Sequence, residues 1–220
     1  MKNCKAIIFD AYGTLFDVNS AAEKCKEKIG NKWEFFSKYW RTTQLEYTWL
    51  RSLMSKHKNF WQITEDSLDK SMKVFNIDLA MRNELLNLYK VLSTFPEVEQ
   101  ALIELKKTDY KLAILSNGTL NLLEDLVKDS KLENIFDNLF SVEDVKTFKP
   151  AFKVYDIPVE YYQINKSEII FLSANTWDVS GAGNYGFNSI WVNRDNNVFD
   201  NLDFKPKFEI NNLTDLLDLI

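Results

Sequence analysis

Short apolar runs, each followed by a polar turn and then by helical periodicity, recur along the chain. Four of them, at residues 6–9, 111–115, 168–172 and 189–192, have the length and β-rich composition of strands. Strands of this kind alternating with helices predict a parallel α/β sheet. An edge strand is expected at 207–210 before a last helix at 213–220, and a further short strand fits 139–142.

The spacing is uneven. About a hundred residues part the first run from the second, far more than one crossover requires. That interval is helical in pattern almost throughout, at 20–29, 33–56, 64–75 and 80–92. In the second stretch Phe36, Tyr39, Trp40, Thr43, Tyr47 and Leu50 recur at three- and four-residue steps, the periodicity of an amphipathic helix. We read 16–97 as an all-helical cap inserted after the first strand, over the carboxyl edge of the sheet. Residues 1–15 and 98–220 then form the catalytic core, which Pro96 re-enters by opening a helix at 97–107. The expected fold is a doubly wound parallel sheet with a helical lid.

Composition narrows the function. The 220 residues are 45% hydrophobic and 14% aromatic with 6 Gly and 4 Pro, which excludes disorder, collagen-like repeats and coiled coil. A net charge of -5 argues against a nucleic-acid partner, since phosphate contacts need clustered cations. The apolar runs are too short to cross a membrane, and the opening Met1-Lys2-Asn3-Cys4-Lys5 is no signal peptide. Cys4 and Cys25 form no Cys-x-x-Cys pair. These features lead us to expect a cytoplasmic protein with two packed, unreactive thiols.

In open parallel sheets ligands bind in the crevice at the carboxyl ends of the strands. The first strand is followed by Asp10-Ala11-Tyr12-Gly13-Thr14, the second by Ser116-Asn117-Gly118-Thr119, and the third by Ser173-Ala174-Asn175-Thr176-Trp177-Asp178. Between the last two lies Lys149-Pro150, where a helix is expected to open at the proline. Separate segments thus bring Asp10, Ser116, Asn117, Lys149, Asn175 and Asp178 to one edge. A carboxylate ending the first strand can be a nucleophile, a metal ligand or a base, and a nearby lysine would keep it ionised. Gly13 permits a tight turn beside it.

These residues carry a resemblance. Phe9-Asp10-Ala11-Tyr12-Gly13-Thr14-Leu15-Phe16-Asp17 resembles the first motif of the haloacid dehalogenase superfamily, and Leu115-Ser116-Asn117-Gly118 the second. Lys149-Pro150 resembles the third and Ser173 to Asp178 the fourth. The resemblance implies a Rossmann-like core with a helical cap. Phosphatases of the superfamily carry a second Asp two residues after the nucleophile and an acidic fourth motif that helps hold magnesium. Here Tyr12, Ser173 and Ala174 stand at those places. With Asp10 and Asp178 alone an octahedral oxygen site is under-provided. The pattern resembles instead the (S)-2-haloacid dehalogenases, with Trp40-Arg41 and the segment from Gln44 to Arg51 as the cap helix and Ser-Ala-Asn-x-Trp-Asp at Ser173 to Asp178. One departure is Thr42, where that pattern has Gln.

The resemblance implies a reaction with no metal and no cofactor, on a small 2-haloalkanoic acid. Asp10 displaces halide and forms an ester, and water activated by Asp178 or a Lys149-linked network hydrolyses it, with inversion. Halide leaves unprotonated, which accounts for Tyr12 in place of a general acid. Arg41 and Asn117 would supply donors to it, with Phe60 or Trp177 edges nearby. Ser116 would hold the substrate carboxylate beside the backbone of Ala11 and Tyr12, with Leu45, Phe60 and Tyr155 completing the pocket. Thr14 would orient Asp10, Ser173 would orient Lys149, and Asn175 would hold Asp178 or the water. The resemblance also implies a homodimer. A magnesium-dependent phosphatase and a non-catalytic binding protein are the competing readings. Arg41 could simply pair with a neighbouring acid, and His57, the only histidine, reads as part of a solvated face. Four of the 6 Trp (Trp33, Trp40, Trp49, Trp61) fall in the cap, so part of the aromatic excess should wall a dry pocket over Asp10.

Overall fold

The computed structural model describes residues 3–220. Six strands form one parallel sheet: β1 (Ala6–Phe9), β2 (Lys111–Ser116), β3 (Asn138–Ser141), β4 (Ile169–Ser173), β5 (Asn188–Val192) and β6 (Phe208–Ile210). Their order, β3-β2-β1-β4-β5-β6, is that of a doubly wound α/β fold. All six expected strands are present. Every side chain of β1 and β4 is buried, because helices cover both faces of a parallel sheet. Ile7, Ile8, Phe9 and Phe171 are fully enclosed, and each such side chain contributes about 1.5–3 kcal/mol.

The order reverses between β1 and its neighbours, since the chain moves to β2 on one side and to β4 on the other. In register, Phe9 lies beside Ile114 and Leu172, so the loops after β1, β2 and β4 open at one edge. That is the crevice in which such sheets bind ligands.

Between β1 and β2 the chain is helical: α1 (Ser20–Glu23), α2 (Lys26–Ile29), α3 (Trp33–Leu53), α4 (Phe60–Phe75) and α5 (Arg82–Tyr89). The single helix expected at 20–29 is two short ones, because the Cys25 amide bonds back to Ala22, tightening the ladder to three residues. α3 ends at Leu53 rather than 56, and Ser55 turns with a φ of 53°, which no helix continues through. α4 starts earlier than expected, at Phe60, because the Asn59 side chain caps the Gln62 amide at 2.9 Å. The chain enters and leaves this segment side by side. Asp17 donates to the Ser93 carbonyl at 2.8 Å and Phe95 to the Leu15 carbonyl at 3.2 Å.

The remaining helices are α6 (Val98–Leu105), α7 (Leu120–Asp129), α8 (Phe152–Tyr162) and α9 (Thr176–Tyr185). Two expectations need correction. Pro150 does not open α8; it sits in a turn closed by the Ala151 amide on the Phe148 carbonyl, and the helix begins at Phe152. The last element is a 3-10 helix, Leu213–Asp218, fixed by a capping box between Asn212 and Asp215. No helix among the described residues is long and apolar enough to cross a membrane.

Candidate active site

Asp10 follows β1 and is 4% exposed. Its two oxygens have different surroundings. Oδ1 accepts from Lys149 Nζ at 2.7 Å. Oδ2 accepts from Thr14 Oγ1 at 2.9 Å, Asn175 Nδ2 at 2.8 Å and Ser173 Oγ at 3.3 Å. The two hydroxyls donate here, since an ionised carboxylate only accepts, and each in turn accepts from a backbone amide: Thr14 from Ala174 at 2.9 Å and Ser173 from Asn175 at 3.1 Å. Local geometry makes these donors converge. Gly13, at φ 88°, turns the chain so that Thr14 folds back on the residue four before it. The β4 carboxyl end carries Ser173 and Asn175 to the same oxygen.

Lys149 is fully buried and also donates to Asp178 Oδ2 at 2.6 Å and to the Leu115 carbonyl at 3.0 Å. Burial pulls the ammonium pKa down, but Asp10 and Asp178 more than reverse this and leave it above that of an ordinary lysine. Asp178, in the first turn of α9, takes a second donor on Oδ1 from Tyr155 at 2.7 Å. Burial pushes its carboxyl up, against the opposing pull of Lys149.

Several expected roles change. Ser173 reaches Asp10 rather than Lys149, because the β4 end faces the neighbouring β1 end. Asn175 holds Asp10 and the Tyr12 carbonyl (3.2 Å) rather than Asp178. Tyr155, expected in the pocket, is 0% exposed and stands behind Asp178, among Phe171, Tyr185 and Phe187.

The second loop supplies Ser116 and Asn117, both buried. Ser116 Oγ accepts from the Gly118 amide at 3.0 Å, and Asn117 Oδ1 accepts from the Lys149 amide at 2.9 Å. The Asn117 carbonyl oxygen must face that amide, so its NH₂ group is turned the other way as a donor. The backbone amides of Ala11 and Tyr12 have no acceptor among the described residues. Gly118 is required by close approach, since a Cβ there would meet Tyr12 Cε2 at 2.8 Å.

The helical segment closes the site from above. Arg41, on α3, donates through Nη2 to the Tyr12 carbonyl at 3.1 Å and through Nη1 to Gln44 Oε1 at 2.9 Å. Among the described residues it forms no ion pair, so the reading in which it merely pairs with an acid does not hold. Tyr12 packs between Phe60 (ring centroids 5.1 Å) and Tyr89 (5.8 Å). Its buried hydroxyl has no partner among the described residues, and burial holds it well above the usual phenol range. Leu45 is half-buried on the next position of α3, and Trp177 is half-buried edge-on to Trp49 at 5.4 Å. Phe60, Trp40 and Tyr89 thus supply aromatic wall near Tyr12, whereas Trp61 lies under Lys90 and Phe35 is exposed.

His57 is half-buried rather than part of a fully solvated face. Its Nε2 lies 3.0 Å from Glu143 Oε2 and its ring stacks on Phe148 at 5.1 Å, because the loop after α3 descends onto the core. Sequence reasoning assigned no role to Gln44, Tyr89, Thr64 or Glu143. The three-residue step from Arg41 to Gln44 puts both on one helix face, but nothing local signals the others, which sit on separate elements.

Sheet order places the chain among the doubly wound α/β proteins, with a buried carboxylate–lysine–carboxylate centre at the carboxyl edge of its strands. The chain belongs to the haloacid dehalogenase-like hydrolases, whose family profile matches residues 7–192, and within them to the (S)-2-haloacid dehalogenases. It is 41% identical over 221 residues to the (S)-2-haloacid dehalogenase of Pseudomonas sp. strain YL, across 100% of this chain and 95% of that protein. A solved dehalogenase crystal structure superposes with a TM-score of 0.98 at 36% identity, covering 100% of this chain and 98% of that one. The L-2-haloacid dehalogenase of Xanthobacter autotrophicus, solved with chloropropionic acid covalently bound, gives a TM-score of 0.91 at 32% identity, covering 98% of each chain.

Proposed function

We propose that this enzyme hydrolyses small (S)-2-haloalkanoic acids to (R)-2-hydroxyacids through an ester on Asp10. The observation that carries this reading is the asymmetry of Asp10, one oxygen on Lys149 alone and the other under three donors. Oδ1 is the less encumbered oxygen and the nucleophile. It attacks C2 of the substrate from the side opposite the halogen, the carbon–halogen bond breaks, and halide leaves with the bonding pair. No proton is needed for that departure, which suits the neutral Tyr12 phenol. Arg41 and the Asn117 amide receive the halide, beside the ring edges of Phe60 and Trp177. Ser116 and the free amides of Ala11 and Tyr12 take the substrate carboxylate, with Leu45 over its alkyl part.

Water then attacks the ester carbonyl carbon of Asp10. Negative charge develops on Oδ2, where Thr14, Ser173 and Asn175 already converge as an oxyanion hole. Asp178, whose proton affinity burial raises, takes the water's proton across the Lys149 contact, and Tyr155 orients it. The bond from the Asp10 carboxyl carbon to Oδ1 then breaks, and the departing alkoxide takes the proton back from Asp178 and leaves as the hydroxyacid of inverted configuration. One water oxygen remains on Asp10 while the second water proton is released.

The proposed reaction uses no metal or organic cofactor. Lys149 lies between the two carboxylates, where a cation would otherwise be held, and both carboxylates spend their oxygens on protein donors. Among the described residues no group of three or more His, Cys, Asp or Glu side chains has the arrangement of metal ligands. This set does not fit magnesium, which the phosphatase reading needs.

We further propose that 16–97 works as a cap domain on a core of 1–15 and 98–220, supported by the paired crossing at Asp17–Ser93 and Leu15–Phe95. A homodimer is supported by the exposed Phe35, Leu53 and Met54 of the α3 region. The free thiols Cys4 and Cys25 suit a reducing, cytoplasmic compartment.

The test is incubation with (S)-2-chloropropionate and, separately, with p-nitrophenyl phosphate and Mg²⁺. Halide release that persists in EDTA and disappears in Asp10→Asn is expected. Phosphate release abolished by EDTA, without halide release, would overturn the reading. Single turnover in H₂¹⁸O should label Asp10 before product.

A further inference from the structure

We infer that Gln44 is a positioning residue for Arg41, a buried neutral acceptor that aims the guanidinium without cancelling its charge. The inference rests on Arg41 receiving the halide.

Gln44 is 1% exposed, so each polar atom of its amide needs a partner. Thr64 Oγ1 donates to the Phe60 carbonyl at 2.8 Å, one turn back on α4. Its only hydrogen is therefore committed, and toward Gln44 it can only accept. The Gln44 atom 2.7 Å from it must be the NH₂ group, which leaves the carbonyl oxygen toward Arg41 Nη1 at 2.9 Å. Tyr89, stacked on Tyr12, closes the network at 3.0 Å from Nε2 and 3.2 Å from Oε1. Three helices thus fix which way one amide points, and that amide fixes Arg41.

Neutrality matters as much as direction. Arg51, Arg82 and Arg194 each pair with a carboxylate. Arg41 instead rests on an amide oxygen and the Tyr12 carbonyl, both uncharged. Its positive charge stays available to an arriving anion. A carboxylate at position 44 has nearly the shape of the amide and would satisfy Arg41, but it would compete with the halide for the same charge.

The experiment measures inhibition by chloride and bromide, with KM and kcat for (S)-2-chloropropionate, in wild type, Gln44→Glu, Gln44→Met and Arg41→Ala. Gln44→Glu should weaken halide inhibition about ten- to a hundredfold, the size of a charge-assisted hydrogen bond. Acidification should restore it as the introduced carboxyl protonates, which a purely structural defect would not do. Gln44→Met, which removes the acceptor and adds no charge, should lower kcat with no such restoration, and it keeps the test open if Gln44→Glu fails to fold. Halide inhibition lost in Arg41→Ala but unchanged in both Gln44 variants would overturn the inference. Inhibition unchanged in Arg41→Ala would instead overturn the halide role of Arg41, and this inference with it.

Discussion

Lys149 Nζ lies 2.7 Å from Asp10 Oδ1, a buried ion pair between residues 139 positions apart in sequence. Asp178 takes a second hydrogen of the same ammonium at 2.6 Å. One cation therefore serves two buried carboxylates, and everything proposed for the reaction depends on that triad staying assembled.

Removing the cation should hurt both stability and chemistry. Lys149→Met leaves two carboxylates facing each other without compensation, and losing one partner of a buried pair costs about 3–5 kcal/mol. We expect a clearly lower Tm by thermal denaturation and halide release below about 1% of wild type, since each 1.36 kcal/mol of barrier is tenfold in rate. An unchanged Tm would mean that the triad is not a structural unit.

The three donors on Asp10 Oδ2 should act after the halide has left. Asn175→Ala removes one of them and should slow ester hydrolysis about a hundredfold, the effect of deleting one oxyanion donor. The first turnover of halide should survive, and mass spectrometry should find the ester accumulated on Asp10. Slowed halide release without accumulation would place Asn175 in the displacement step.

Activity should fall on the acid side. Burial pushes the Asp178 carboxyl from 3.8 up to about 6, while Lys149 and the Tyr155 hydrogen bond pull it down. Ester hydrolysis should therefore fade as the pH drops through that range, because a protonated Asp178 accepts nothing. The folded chain binds this proton more tightly than the unfolded chain, so this group's contribution to stability declines as pH rises from 3.8 towards about 6. Tyr155→Phe deletes a lowering contact and should move the acid limb of the profile to higher pH. A limb that stays put would remove Tyr155 from the mechanism.

Gly118 tests the packing of Tyr12. A methyl group there would stand 2.8 Å from the Tyr12 ring and 3.3 Å from Ser116 Oγ. Gly118→Ala should displace Tyr12, raise KM for the haloacid and lower stability by about 1–3 kcal/mol, the usual cost of overpacking. Wild-type kinetics would show that the ring moves aside freely.

The strands, the long helical insertion and the loops that carry the chemistry were legible in the sequence alone. Apolar runs such as Ala6-Ile7-Ile8-Phe9 and the three- and four-residue steps of α3 are local, periodic signals. The sequence also brought Asp10, Ser116, Lys149 and Asp178 to one sheet edge, because parallel strands send all their following loops to the same side. Which atom bonds which follows from the packing of distant segments. That Ser173 and Asn175 serve Asp10, that Tyr155 stands behind Asp178, and that His57 meets Glu143 are contacts between distant segments. The Gln44–Thr64–Tyr89 network lay equally out of reach. Its members sit on three helices whose faces are set by packing, and a single contact between distant helices leaves no period in a sequence.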